Sequence, residues 1–190
     1  MFLTHRPTKS AIEKFIDESS DLPLSYGPVG LAKESPPGFN ADVASAIVGH
    51  GADAFARARR ALTEWRHFEL GWVELFPHGA ATEAGTVVAV LAHHLGLWSL
   101  NGCRVVYGLG DKDVWQFGFA YGTLTNHIEM GEESFEVAMA RDTEEVTYRI
   151  RAVSKPRAVL ARIGYPYARI SQSRFRRDSI AALKRAIDVT

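Results

Sequence analysis

Residues 127–133 read HIEMGEE, a stretch that gathers His127, Glu129, Glu132 and Glu133. A histidine and three carboxylates can do one of two kinds of chemistry. They can ligate a divalent cation through oxygen and imidazole. Alternatively, His127 can move a proton while Glu129 or Glu132 orients its ring. In an extended segment His127 and Glu129 face the same way, being two apart. The spacing matches no closed zinc pattern and has no cysteine beside it, so no metal site is expected. The plainer expectation is a polar corner, with Glu or Asn oxygens accepting loop N–H groups and His127 satisfying a buried position.

The strand before this corner, VWQFGFAY, places Trp115, Phe117, Phe119 and Tyr121 on one face and Val114, Gln116, Gly118 and Ala120 on the other. Four aromatics in a row make either core beneath a helix or the wall of a ligand cavity, where Tyr121 offers its hydroxyl. Thr123 follows at the rim of that wall. Two cations are candidates for holding a ligand's polar end. Arg104 heads the apolar strand CRVVY, where burial demands a partner, and the Glu129/Glu132/Glu133 group is the expected one. Arg176 lies toward the apolar side of the last helix, where it either snorkels or holds a carboxylate or phosphate. Asn101-Gly102 reads as a hairpin turn. His93 and His94 are adjacent on a strand, point to opposite faces and cannot chelate together. Cys103 has no neighbouring histidine and no positive sign of nucleophilic use.

Several elements must position these residues. Residues 8–20 form an amphipathic helix through Ile12, Phe15 and Ile16, and Pro- and Gly-rich stretches follow it, so 1–40 is an arm with a short helix. A strand over 42–49 leads into a helix over 52–68 whose apolar stripe is Phe55, Ala58, Leu62 and Trp65. From there to 153 the period is two, with strands expected at 72–76, 86–95, 103–107, 114–121, 135–140 and 146–152. Phe135, Val137 and Met139 oppose Glu136, and Val146, Tyr148 and Ile150 oppose Thr147, Arg149 and Arg151. Such alternation implies an antiparallel sheet with one buried and one wet face, and no βαβ rhythm is present. Residues 154–190 supply a short helix at 157–163 and a long one at about 167–187. Ala168, Phe175, Ser179, Ala182, Leu183, Ala186 and Ile187 share its buried side. The expected fold is α+β, a single domain over 1–190. A curved antiparallel sheet, preceded by an early helix, grips a long C-terminal helix over a cavity.

The bulk properties are those of a soluble globular chain. It has 190 residues, 46% hydrophobic and 23% charged, with zero formal net charge. That balance recruits neither nucleic acid nor an anionic membrane. No run is long and apolar enough to span a bilayer. One cysteine and an N-terminus without an apolar leader point to a reducing, cytoplasmic setting. From Lys155 onward nine lysines and arginines face only Asp178 and Asp188, which makes a solvated basic helix face or a contact surface for an acidic partner. No nucleophile-elbow, Walker or dinucleotide motif occurs, so no cofactor is expected. Oligomeric state is left unassigned.

The strings SYGPVG at 25–30, GLWSLNGCRVVY at 96–107, FGFAYGTLTNHIEMGEESF at 117–135 and AVSKP at 152–156, with the helix ending in Trp65, resemble the uncharacterised family catalogued as domain of unknown function 1990. Thr125 and Ser134 stand where the family pattern has Pro and Arg. The first loosens a turn, and the second removes a positive charge beside the carboxylates. The resemblance carries no catalytic residues, because the family has no established activity. Element order alone suggests the START and Bet v 1 group of hydrophobic-ligand carriers, an analogy of fold and not of function. Three functions follow as expectations. The first is a binder of a small, largely apolar molecule, walled by Trp115, Phe117, Phe119 and Tyr121. The second is an enzyme using His127 with a carboxylate, and the third an interaction module using the basic helix.

Overall fold

The computed structural model describes residues 2–110, 115–156 and 165–188. In chain order its elements are β1 (Phe2–Leu3), α1 (Lys9–Ser19), α2 (Leu31–Glu34), β2 (Asn40–His50), α3 (Gly51–Thr63), β3 (Val73–Phe76), β4 (Val87–His94), β5 (Leu97–Leu109), β6 (Gln116–Thr123), β7 (Glu129–Met139), β8 (Glu145–Pro156) and α4 (Tyr165–Asp188). A 3-10 turn at Arg66–Phe68 follows α3. The short helix expected at 157–163 and the start of the strand at Val114 lie outside the described residues.

All the pairings are antiparallel, in the order β2-β8-β7-β6-β5-β4-β3, with β1 added to β5. The chain lays down one edge strand, β2, then crosses the sheet with α3 and the 3-10 turn to the far edge at β3. From there it meanders strand by strand back to β2. α3 and α4 lie on the same face of the sheet and bury Phe55, Ala58, Leu62, Leu183 and Ile187 against Val88, Val105, Phe119, Phe135, Val137 and Tyr148. The crossing helix stops where Trp65 takes a left-handed φ of 57°. Its indole N–H donates to the Ala80 carbonyl at 2.8 Å, which turns the expected continuous helix over 52–68 into a helix and a separate turn.

Two expectations about the sheet are corrected. Asn101-Gly102 is not a hairpin turn. Both residues sit inside β5, opposite Val90 and Ala89, and the turn is Leu95-Gly96, where both φ values are positive, 50° and 79°. Gly102 is needed for space instead: a Cβ there would come within 2.4 Å of the Asn126 side-chain oxygen. Nor is the second face of the sheet wet throughout: Arg149 is exposed on it as expected, but the β4–β5 part is covered. Ile12 of α1 packs with Ala89, Leu91 and Leu100 on the face away from α4. α1 starts at Thr8, whose hydroxyl accepts the Ala11 N–H at 3.3 Å.

Strand pairing sorts the inward side chains into rows running across the sheet, and the rows differ in bulk. Phe119, Phe135, Ile150 and Ala44 make one row, and Phe117, Val137, Tyr148 and Ala46 the next. Phe119, Phe135, Val137, Tyr148 and Ile150 are all fully buried. Here α4 sits directly on the sheet, and the Tyr148 and Ser179 hydroxyls meet at 3.0 Å. One row in the other direction the residues are Val105, Tyr121, Glu133, Ala152 and Asp42. Beyond them Gly131 pairs with Ser154. Small and polar residues replace rings, and the helix no longer has a surface to rest on.

Candidate functional site

At that end the sheet and α4 enclose a cavity of about 690 Å³. Its apolar wall includes Phe68, Trp72, Val73, Val90, Ala92 and Phe175. Polar side chains line the cavity as well: Tyr121, Thr123, Glu129, Glu133, Gln172 and Arg176.

Glu133 and Tyr121 are cross-strand partners on β7 and β6, and the Tyr121 hydroxyl donates to the Glu133 carboxylate at 2.8 Å. Burial pushes the Glu133 carboxyl up to about 7, against the pull of the Tyr121 hydrogen bond and the Arg176 charge. Burial also raises Glu129, although the Gln172 amide donates to both its oxygens at 2.9 and 2.8 Å. Asp42 sits two strands from Glu133 in the same row. Arg169 grips both its oxygens and holds its carboxyl below the ordinary range. Arg176 reaches the same carboxylate at 3.5 Å with its side chain only 13% exposed.

His127 lines the cavity. Its Nδ1 accepts the Glu129 backbone N–H at 2.9 Å, so the ring is oriented by main chain in the turn that joins β6 and β7. Glu132 points to the opposite face of β7 from Glu133, as alternation requires. Its carboxylate, only 2% exposed, accepts from Tyr26 Oη at 2.7 Å, from the Gly30 and Ala32 N–H groups at 2.9 and 3.0 Å, and from the Tyr107 hydroxyl. That carboxylate latches the N-terminal arm to the sheet. Gly122, its neighbour on β6, leaves room for the latch: a Cβ there would lie 2.2 Å from the Tyr26 oxygen. Asn126 adds a second tie, donating to the Ser19 hydroxyl at 2.7 Å.

The structure therefore brings together at the cavity Tyr121, Thr123, His127, Glu129 and Arg176; Glu132 borders it too, with its carboxylate taken up by the arm, and the other candidates lie elsewhere. Trp115 stacks edge-on against Phe55 at 5.7 Å on a different surface depression, near Arg59. Phe117 lies under the Arg59 guanidinium, and Phe119 is locked between Trp65 and Phe135. Arg104 does not pair with the acids. It donates to the Ser20 and Leu22 carbonyls at 2.7 and 3.0 Å and so helps to seat the arm. Its strand position opposite Gly122 turns it to the arm's side of the sheet. His94 lines the cavity beside Trp72, and burial lowers its pKa. Cys103 is buried and its thiol is pushed up by burial. Among the described residues, no three His, Cys, Asp or Glu side chains converge on a common cation position, and no helix is long and apolar enough to cross a membrane. Much of the basic charge on α4 is spent internally, on Asp42 from Arg169 and Arg176 and on Asp178 from Arg174 and Arg177.

The sequence expectation names Glu133 only among the nearby acids, yet a signal for its place at the cavity exists. It shares strand parity with Phe135 and Val137, which puts a carboxylate on the apolar face.

A family model described as "Domain of unknown function (DUF1990)" matches residues 25–182. A "UPF0548 protein" of Dictyostelium discoideum is 30% identical over 207 residues, covering 98% of this chain and 96% of that protein. Among solved structures, TTHA0849 from Thermus thermophilus superposes with a TM-score of 0.52 at 9% identity, over 79% of this chain and 98% of that one. The aromatase/cyclase ZhuI of Streptomyces sp. R1128 gives 0.51 at 13% identity, over 79% and 94%. These likenesses show the fold, a curled antiparallel sheet around a C-terminal helix as in the START and Bet v 1 group, and at such identities the fold alone.

Proposed function

The chain belongs to the DUF1990 family, which brings no activity with it, and from its cavity we propose that it binds a small, largely apolar molecule between the sheet and α4. The observation that carries the reading is the change from ring-filled rows to small and polar ones at a single level of the sheet. It leaves about 690 Å³ open, within the usual range for small-molecule sites. Phe68, Trp72 and Phe175 line that space together with Tyr121, Glu133 and Arg176, so the occupant is largely apolar and carries a compact polar group.

Native mass spectrometry of gently purified protein tests this. A reproducible mass excess that disappears on denaturation is the expected result. A clean apo mass, together with no tryptophan fluorescence response to a panel of neutral ring compounds, would sink the reading.

A further inference from the structure

Resting on that binding reading, we propose that the cavity is a proton-transfer site for enolisable carbonyl compounds. Glu133 is the base that takes the proton α to the carbonyl. Arg176 is the donor that holds the carbonyl oxygen as it becomes an enolate.

Three observations place the parts. Glu133 has a single hydrogen-bond donor among the described residues, Tyr121, so one carboxylate oxygen is left to the cavity it lines. Arg176, largely buried, has only its 3.5 Å ion pair with Asp42 and no hydrogen bond among the described residues. Asp42 is already engaged at both oxygens by Arg169. None of the Arg176 nitrogens is a buried atom left without a partner, so those N–H groups reach the open space of the cavity that Arg176 lines, where a ligand's carbonyl oxygen can accept from them. Between Glu133 and Asp42 the row carries only Ala152. With strands about 4.8 Å apart, the two acidic residues' backbones are about 10 Å apart, which leaves room above Ala152 for a carbonyl and its α-carbon.

The charges select this chemistry. With Glu133 ionised, as a base must be, and Glu129 ionised under the two Gln172 contacts, Asp42, Glu129 and Glu133 face Arg169 and Arg176, and an anionic ligand would add a fourth negative charge to two positive ones. A neutral carbonyl adds none. When the α C–H bond breaks, its electron pair becomes the C=C bond, the carbonyl π pair moves to oxygen, and the proton goes to Glu133. One negative charge moves from Glu133 toward Arg176 and the total is unchanged. Return of the proton to the same or another carbon regenerates the base, with no co-reactant. The apolar remainder of the cavity strengthens the Arg176 contact with the developing oxyanion. A base titrating near neutrality also suits the task. The groups facing it are Tyr121, Glu129, Cys103, Tyr148, Asp42 and Arg176.

The test is α-hydrogen exchange of β-tetralone, a neutral bicyclic ketone, in deuterated buffer, followed by proton NMR, with binding read on the same samples by saturation transfer. Exchange above buffer is expected for the wild type. In Glu133→Gln it should fall by about a hundredfold or more, with binding retained. Ala152→Leu fills the space between base and guanidinium without touching a charge, and should lose both binding and exchange. Binding without exchange above buffer would overturn the proton-transfer inference and leave the cavity reading standing. Equal exchange in the wild type and Glu133→Gln would overturn the assignment of the base. Failure of β-tetralone to bind counts against the ligand class, and the native mass decides separately whether the cavity binds anything.

Discussion

Replacing Glu133 by Gln keeps the side chain's size and an acceptor for Tyr121 while removing its titration. In the folded chain the carboxyl is raised from 4.5 to about 7, with burial as the main cause. A raised acid binds its proton more tightly in the native state than in the unfolded one. Its stabilising contribution is therefore complete below about pH 4.5 and is lost as pH rises through about 7. At about 1.4 kcal/mol per pH unit, that gap is worth about 3 kcal/mol, an upper figure because the group borders a cavity that water can enter. Urea unfolding of wild type and Glu133→Gln at about pH 4.5 and about pH 8.5 isolates it, since other titrations cancel in the double difference. The variant should gain about 3 kcal/mol on the wild type between the two conditions. A double difference below about 1 kcal/mol would show that Glu133 is well solvated, and would remove the reason to regard it as a poised base.

Glu132→Ala should cost about 3 kcal/mol, because it strands two phenols and two backbone N–H groups that now share one carboxylate. Limited proteolysis should then cut first in the arm around residues 20–38, and unchanged resistance there would refute the latch. His67 is fully buried among Trp65, Phe68, Phe119 and Phe135 with neither ring nitrogen hydrogen-bonded, and burial lowers its pKa to about 3. Its contribution is present above its ordinary value of 6.5 and lost as pH falls. His67→Phe should therefore raise the melting temperature at acid pH more than at pH 8, and a uniform loss would indicate overpacking instead.

Alternation makes most of the sheet legible. β7 and β8 can be read from Phe135, Val137, Tyr148 and Ile150 because each strand shows one apolar and one polar face. The same rule misleads where a face has a second cover. Arg104 and Glu132 look like solvent-side or site residues until the arm is placed over them, and no local pattern announces that Tyr26 or Leu22, about a hundred residues away in sequence, supplies the partner. The aromatic strand shows another limit. Trp115, Phe117, Phe119 and Tyr121 share one face by alternation, but which of them meets open space depends on where α4 lifts from the sheet. That point is set by residues on other strands: Ala152, Gly131 and Ser154. Asn101-Gly102 carries a strong turn signal, and Leu95-Gly96 turns instead, since Gly102 serves to admit Asn126 rather than to bend the chain.

The latch and the β2–β8 pairing also set an order of events. The meander from β3 to β8 joins neighbours in sequence, so its contacts close short loops and form early. Among the described residues β2 pairs only with β8, and the Tyr26–Ala32 segment is held by Glu132, about a hundred residues on. Both are made early on the ribosome, yet each must wait for most of the chain before it has a partner. Until then β2 exposes a long unpaired edge bearing Val43 and Ile47, which remain exposed even in the finished fold. Damage to β8 or to Glu132 would therefore be felt first as slow maturation and aggregation during synthesis, before any loss in the folded protein's affinity for a ligand.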